Sequence, residues 1–140
     1  MNQQLRGRRV ALDVGERRIG LAVSDELGMV ASPVRTIDIK RERLDGLIKA
    51  INQYDPVEII IGMPTGMSGR EGPQAEETRT FAGRLAEHID VPITYWDERL
   101  TTFAADQALT ESGYRTKRRK QMVDAVAASL ILQSYLDSLR

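Results

Sequence analysis

Three acidic residues stand where short apolar runs give out. Asp13 follows Val10, Ala11 and Leu12 within ALDVGERRIGLAVSD, residues 11–25; Glu98 closes VPITYWDE, residues 91–98; Asp124 sits among Val123, Ala125 and Val126 in KQMVDAVAASLILQSYL. A carboxylate in apolar surroundings is costly unless it meets a cation, a metal or several donors. Three that converge repel one another and hold together only with protons or a divalent cation among them. Oxygen ligands suit Mg²⁺ or Mn²⁺. Two such ions about 4 Å apart can hold an attacking water and stabilise the leaving oxygen of a phosphodiester. Taken singly, each acid has a plainer role: Asp13 as a turn residue, Glu98 as a surface or capping acid, Asp124 as a first-turn acid favoured by a helix dipole. Asp97 should face the opposite side of its strand from Glu98, and Asp25 is most simply a turn acid.

Composition pushes chemistry onto carboxylates. With no cysteine and one histidine, His88, the chain has no thiolate catalyst, disulfide or cysteine-bound metal, and little scope for imidazole chemistry. A length of 140 residues suits one domain, residues 1–140, and 41 % hydrophobic residues suffice for a core. No run approaches the roughly 20 apolar residues of a membrane helix. MNQQLRGRR lacks the apolar centre of a signal peptide, so a cytoplasmic protein without membrane partners is expected. Twenty basic residues balance twenty acidic ones, yet the distribution is uneven: Arg6, Arg8 and Arg9 open the chain, and RTKRRK spans 115–120. A neutral total can hide a basic face beside an acidic site.

Those acids need elements to position them. Residues 8–14 and 18–24 read as strands joined by a GERR turn. A third strand, 29–37, contains Pro33, which favours a sheet edge. Leu44, Leu47, Ile48 and Ile51 are spaced for a helix over 40–54, stopped at Asp55-Pro56. VEIIIGMP, 57–64, reads as a buried central strand. A glycine-rich loop, 65–74, precedes a helix from Pro73 to about Ile89 that buries Thr78, Phe81, Ala82 and Leu85. A strand over 91–98 follows, then a short helix from Thr101 or Thr102 to Ser112-Gly113. A last helix begins near Gln121, with Met122, Val123, Val126, Ala127, Leu130, Ile131, Ser134 and Tyr135 as its apolar pattern. Small neighbours at Ala127 and Ala128 point Asp124 toward the sheet. The order βββαβαβαα predicts an α/β fold: a five-stranded mixed sheet, a three-strand antiparallel meander plus parallel strands, with helices on both faces. Sites in such sheets gather at the carboxyl ends of central strands.

ALDVGERRIGLAVSD, VEIIIGMP with its glycine-rich loop, WDERLTT and KQMVDAVAASLILQSYL, in this order, resemble the YqgF/RuvX family, a bacterial group with a ribonuclease H-like fold. The resemblance implies a two-metal nuclease, with Asp13, Glu98 and Asp124 as catalytic carboxylates and Mg²⁺ or Mn²⁺ ligands. Asp13 would be the central ligand between two ions, and Gly15 would allow a tight turn and close approach of a phosphate. It further implies maturation of the 5′ end of precursor 16S ribosomal RNA, on the assembling small subunit. The alternative is resolution of Holliday junctions, through distant similarity to RuvC. RuvC-type resolvases carry their second acid on the fourth strand, whereas IIIGMP has none there, so Glu98 must substitute.

Arg115, Lys117, Arg118, Arg119 and Lys120 precede Asp124 and could grip backbone phosphates. Arg17, Arg18 and Arg99 lie nearer the presumed site and could equally pair with surface acids. Trp96 could stack a base, but core or rim packing is the simpler role, and His88 reads as a surface residue. Two other classes compete. DVGERRIG resembles the phosphate turn of actin-like ATPases, which clamp nucleotide between two such domains; this chain has room for one. A non-catalytic nucleic-acid-binding factor would gain from losing the acid trio. Branched DNA would require a dimer, RNA either a monomer or a homodimer.

Overall fold

The computed structural model describes residues 6–64, 72–100 and 116–140, with side chains for all of these except 100 and 116–121. Strands β1 (Arg9–Val14), β2 (Arg18–Ser24) and β3 (Ala31–Asp38) are followed by helix α1 (Ile39–Asn52), strand β4 (Glu58–Met63), helix α2 (Pro73–Ala86), strand β5 (Ile93–Asp97), a 3₁₀ turn (Glu98–Leu100) and helix α3 (Thr116–Ser138). The sheet order is β3-β2-β1-β4-β5. β1 pairs antiparallel with β2 and β2 with β3, while β1–β4 and β4–β5 are parallel. This is the expected mixed sheet. Pro33 lies on the edge strand β3, beside a register shift at Leu21/Ala22, where its missing N–H breaks no interior ladder.

Strand alternation divides the side chains between two layers. Val10, Leu12, Ile19, Leu21, Ile59 and Ile61 face α1 and α2, where Leu47, Ile51, Ala82 and Leu85 complete one core. Ala11 and Ile60 face the other way and pack on Ile131, Leu132 and Leu136 of α3. Asp13 has the parity of Ala11 and therefore lies on the α3 side. Glu58, on that side too, accepts hydrogen bonds from Arg9 Nε (2.8 Å), Tyr135 Oη (2.7 Å) and Thr94 Oγ1, so β1, β4, β5 and α3 meet at one partly buried carboxylate.

Several expectations shift. β3 begins at Ala31, not residue 29, and α2 ends at Ala86. α3 begins at Thr116, so the basic stretch 116–120 belongs to the helix that carries Asp124. Its buried face also differs: Ala125, Ala128, Ser129, Ile131, Leu132 and Leu136 are buried, while Met122, Val123, Val126, Ala127 and Leu130 are only partly so. Apolar residues surround this stretch of helix, so periodicity could not select a face. Small residues did, because they let the helix close on the sheet. The 65–71 part of the glycine-rich loop and the short helix expected after Thr101 lie outside the described residues.

Candidate active site at the carboxyl ends of β1 and β5

Asp13 is the hub. It lies near the end of β1, directly opposite Gly20 of β2, and Gly62 of β4 stands one residue beyond the Leu12–Ile61 pair. Two glycines thus flank it on the α3 face. A Cβ on Gly20 would come within 1.9 Å of the Asp124 carbonyl oxygen, and one on Gly62 within 2.5 Å of Ile131 Cδ1 and 3.8 Å of Glu98 Cδ. These bare positions let α3 descend onto the sheet and bring Asp124 beside Asp13. A glycine inside a strand is the sequence signal for such an approach, and neither was singled out from sequence.

The electrostatics record the convergence. Burial, a hydrogen bond to Glu98 and the charge of Glu98 push the Asp13 carboxyl up to about 8. Asp13 thus keeps its proton at neutral pH and donates it toward the Glu98 carboxylate. Burial and the charge of Asp13 raise Asp124 as well, opposed by Arg18. Arg18 Nε stands 3.7 Å from Asp124 Oδ2, and among the described residues that buried oxygen has no hydrogen-bond partner. Asp124 is the ninth residue of α3. The helix dipole acts within the first turn, so the first-turn explanation for this acid fails. Glu98 follows the last residue of β5 and opens the 3₁₀ turn rather than ending the strand.

The donor set is carboxylate oxygen only, which fits a hard divalent cation. Asp124 Oδ2, which accepts no hydrogen bond among the described residues, is the oxygen best placed to receive such a cation. Among the described residues no three such side chains already stand at ion-holding spacing. They are linked in pairs through Asp13, and an ion would have to draw Glu98 and Asp124 inward. Cavities of about 520 and 500 Å³ lie on the α1/α2 side, around Gly15, Glu16 and Phe81, and neither is lined by the three acids.

The other candidate residues fall in distinct places. Arg17 is held by the α1 cap residue Asp38 (3.1 Å), and Arg99 by Asp97 (2.6 Å). Lys117, Arg118, Arg119 and Lys120 occupy the first turns of α3; Arg115 lies outside the described residues. Trp96 donates to Ser134 Oγ (3.1 Å) and packs edge-on against Tyr135, so it serves packing. His88 is exposed. Gly15 is not in a left-handed conformation: a Cβ there would lie 2.8 Å from the Arg18 carbonyl, which the Gly15 N–H meets at 2.9 Å. Close approach, not positive φ, requires the glycine. Among the described residues no helix is long and apolar enough to cross a membrane.

A five-stranded mixed sheet with helices on both faces and carboxylates at the ends of its strands defines the ribonuclease H-like fold. Solved structures agree. The fowlpox virus resolvase in complex with Holliday junction DNA superposes with a TM-score of 0.61 at 12 % identity, covering 94 % of this chain and 98 % of that one. Thermus thermophilus RuvC in complex with a Holliday junction substrate gives 0.59 at 15 % identity, covering 94 % of each. The chain belongs to the RuvX family, described as Holliday junction resolvase, which matches residues 7–138. A relative from Ruegeria sp. (strain TM1040), named "Putative pre-16S rRNA nuclease", is 48 % identical over 133 residues, 94 % of this chain and 85 % of its own length. A Geobacillus kaustophilus relative of the same name is 43 % identical over 137 residues, 95 % and 99 % of the two chains.

Proposed function

We propose that this protein is a metal-dependent endonuclease that trims the 5′ end of precursor 16S ribosomal RNA. The observation that carries it is the junction of Asp13 with Glu98 and Asp124 on one face of the sheet, from three elements far apart in sequence. Like charges gathered in this way lower stability unless a cation uses them. The names of the relatives, conserved over nearly the full chain, supply the substrate.

Asp13, Glu98 and Asp124 would hold Mg²⁺ or Mn²⁺. Bound there, the ions would supply an activated water and stabilise the leaving oxygen of the phosphodiester. The remaining work falls to the chain. Asp13 gives up its proton as the site fills. Gly20 and Gly62 fix the depth of the site. The basic first turns of α3 run up to Asp124 along one helix, so their charges can track the backbone of an RNA whose phosphate lies at the acids. The reaction takes place in the cytoplasm, on the assembling small subunit.

The resolvase fold neighbours and the family description favour branched DNA as the second reading. Symmetric resolution would need two copies of this site.

The deciding experiment incubates wild type and Asp13→Asn with Mn²⁺ or Mg²⁺ and either a precursor 16S 5′ fragment or a synthetic four-way junction. Cleavage of the RNA, lost in the variant, is the expected result. Paired symmetric cuts in the junction alone would replace RNA processing with resolution. Binding without a cut in either substrate would leave a non-catalytic factor.

A further inference from the structure

Arg17, Arg18 and Arg99 are the arginines that the sequence sets nearest the acids, and the structure treats them differently. Arg17 is engaged by Asp38 through its Nε and Nη2, and Arg99 by Asp97 in the same forked manner. Both are neutralised by acids outside the trio. Arg18, at the start of β2, points the other way. Its Nε lies 3.7 Å from Asp124 Oδ2, too far for a hydrogen bond but close enough to offset charge. The same oxygen is buried and accepts no hydrogen bond among the described residues. Its lone pairs are therefore still available, while the arginine supplies only field. The Arg18 side chain is 54 % exposed and the Asp124 side chain 25 %, so the guanidinium stands at the mouth of the site with the carboxylate below it.

We propose that Arg18 is a stand-in cation that offsets Asp124 before a divalent ion binds and then turns outward to grip the scissile phosphate. This rests on the nuclease reading of the same site. A divalent ion taken by Asp124 Oδ2 would sit within a few ångströms of the guanidinium, and like charges at that range repel strongly in a half-buried setting. The exposed end of Arg18 has solvent to move into. The phosphodiester that the ion attracts arrives at that mouth, and a planar guanidinium can hold two of its oxygens at once, which an ammonium cannot. No bond is made or broken by Arg18. It is a positioning residue that exchanges one anion for another.

The two roles have opposite signatures, which separates them from a structural role. Loss of Arg18 removes a competitor for the ion and a grip on the substrate together. Mn²⁺ binding to the metal-free protein is titrated calorimetrically for wild type, Arg18→Gln, Arg18→Lys and the control Arg8→Gln, which removes a positive charge from a surface pair with Glu26. Steady-state cleavage of the precursor 16S fragment is measured in parallel. Arg18→Gln should bind Mn²⁺ more tightly, by about three- to tenfold, while its KM for RNA rises about tenfold or more and kcat changes less. Arg18→Lys should return Mn²⁺ affinity to the wild-type level but leave KM raised. Arg8→Gln should move neither. Unchanged or weaker Mn²⁺ binding in Arg18→Gln, with wild type binding the ion and cutting RNA, would overturn the role of Arg18 alone. No Mn²⁺ binding by wild type would overturn both this role and the nuclease reading beneath it.

Discussion

The carbonyl oxygen of Asp124 lies where the Cβ of any residue other than glycine at position 20 would have to be, 1.9 Å away. Because Gly20 is also the cross-strand partner of Asp13, this contact sets the distance between two carboxylates more than a hundred residues apart in sequence. The atom in the way is helix backbone, which cannot swing aside like a side-chain tip.

Gly20→Ala should therefore push α3 off the sheet. Overpacking of this kind costs about 1–3 kcal/mol or more, and displacement of Asp124 should abolish metal-dependent cleavage. Gly62→Ala meets the end of the Ile131 side chain instead, which can rotate, and should cost less stability. Urea denaturation of both variants, with an activity assay, checks the ordering. Equal losses would mean that α3 does not rest on Gly20.

Asp13 makes metal-free stability depend on pH. Its carboxyl is raised from 3.8 to about 8 in the folded protein, so the folded state holds a proton that the unfolded chain has released between those values. Stability therefore falls as pH rises from about 4 to about 8. Asp13→Asn cannot ionise and should be more stable than wild type by roughly 1–3 kcal/mol at pH 8, with the gap closing toward pH 4. Chelator-treated samples melted across that range test the sign.

Divalent ions should reverse the order. Ligand at a hundredfold its Kd stabilises the folded state by about 2.7 kcal/mol. Mg²⁺ or Mn²⁺ should raise the Tm of wild type and leave that of Asp13→Asn nearly unchanged. Equal shifts in both would place the ion elsewhere.

Glu58 has the opposite pH behaviour. Burial raises its carboxyl, but hydrogen bonds from Thr94, Arg9 and Tyr135 outweigh burial and lower it overall. It contributes stability above its ordinary range that is lost as pH falls through the lowered value. Glu58→Ala would remove the carboxylate paired with the Arg9 guanidinium, whose side chain is 8 % exposed, at a cost of about 3 kcal/mol. Activity per folded molecule should survive, since the network lies away from the three acids.

Trp96 is the chain's one tryptophan, fixed by Ser134 and Tyr135. Trp96→Phe should lose about 1 kcal/mol with the hydrogen bond and keep its RNA affinity. A tenfold loss of affinity would restore the base-stacking role.

The sequence by itself determined the mixed sheet and pointed to carboxylates as the candidate site. The apolar runs Val10–Leu12, Ile19–Val23 and Ile59–Met63 and the Pro33 edge position are local properties of polar and apolar residues, and they specified a mixed sheet with an antiparallel meander and parallel strands. Oxygen-only chemistry followed from the lack of cysteine and the single histidine. Only the tertiary structure decided which face of α3 meets the sheet, because apolar residues surround that helix and shape, not hydrophobicity, chooses among them. Only it divided Arg17, Arg18 and Arg99, whose sequence setting is alike: each pairs with whichever acid the fold brings within reach, and those acids are Asp38, Asp124 and Asp97. Pairing across long sequence separations depends on packing at Gly20 and Gly62, where what matters is the absence of a side chain, and an absence has no meaning until a neighbour occupies the space.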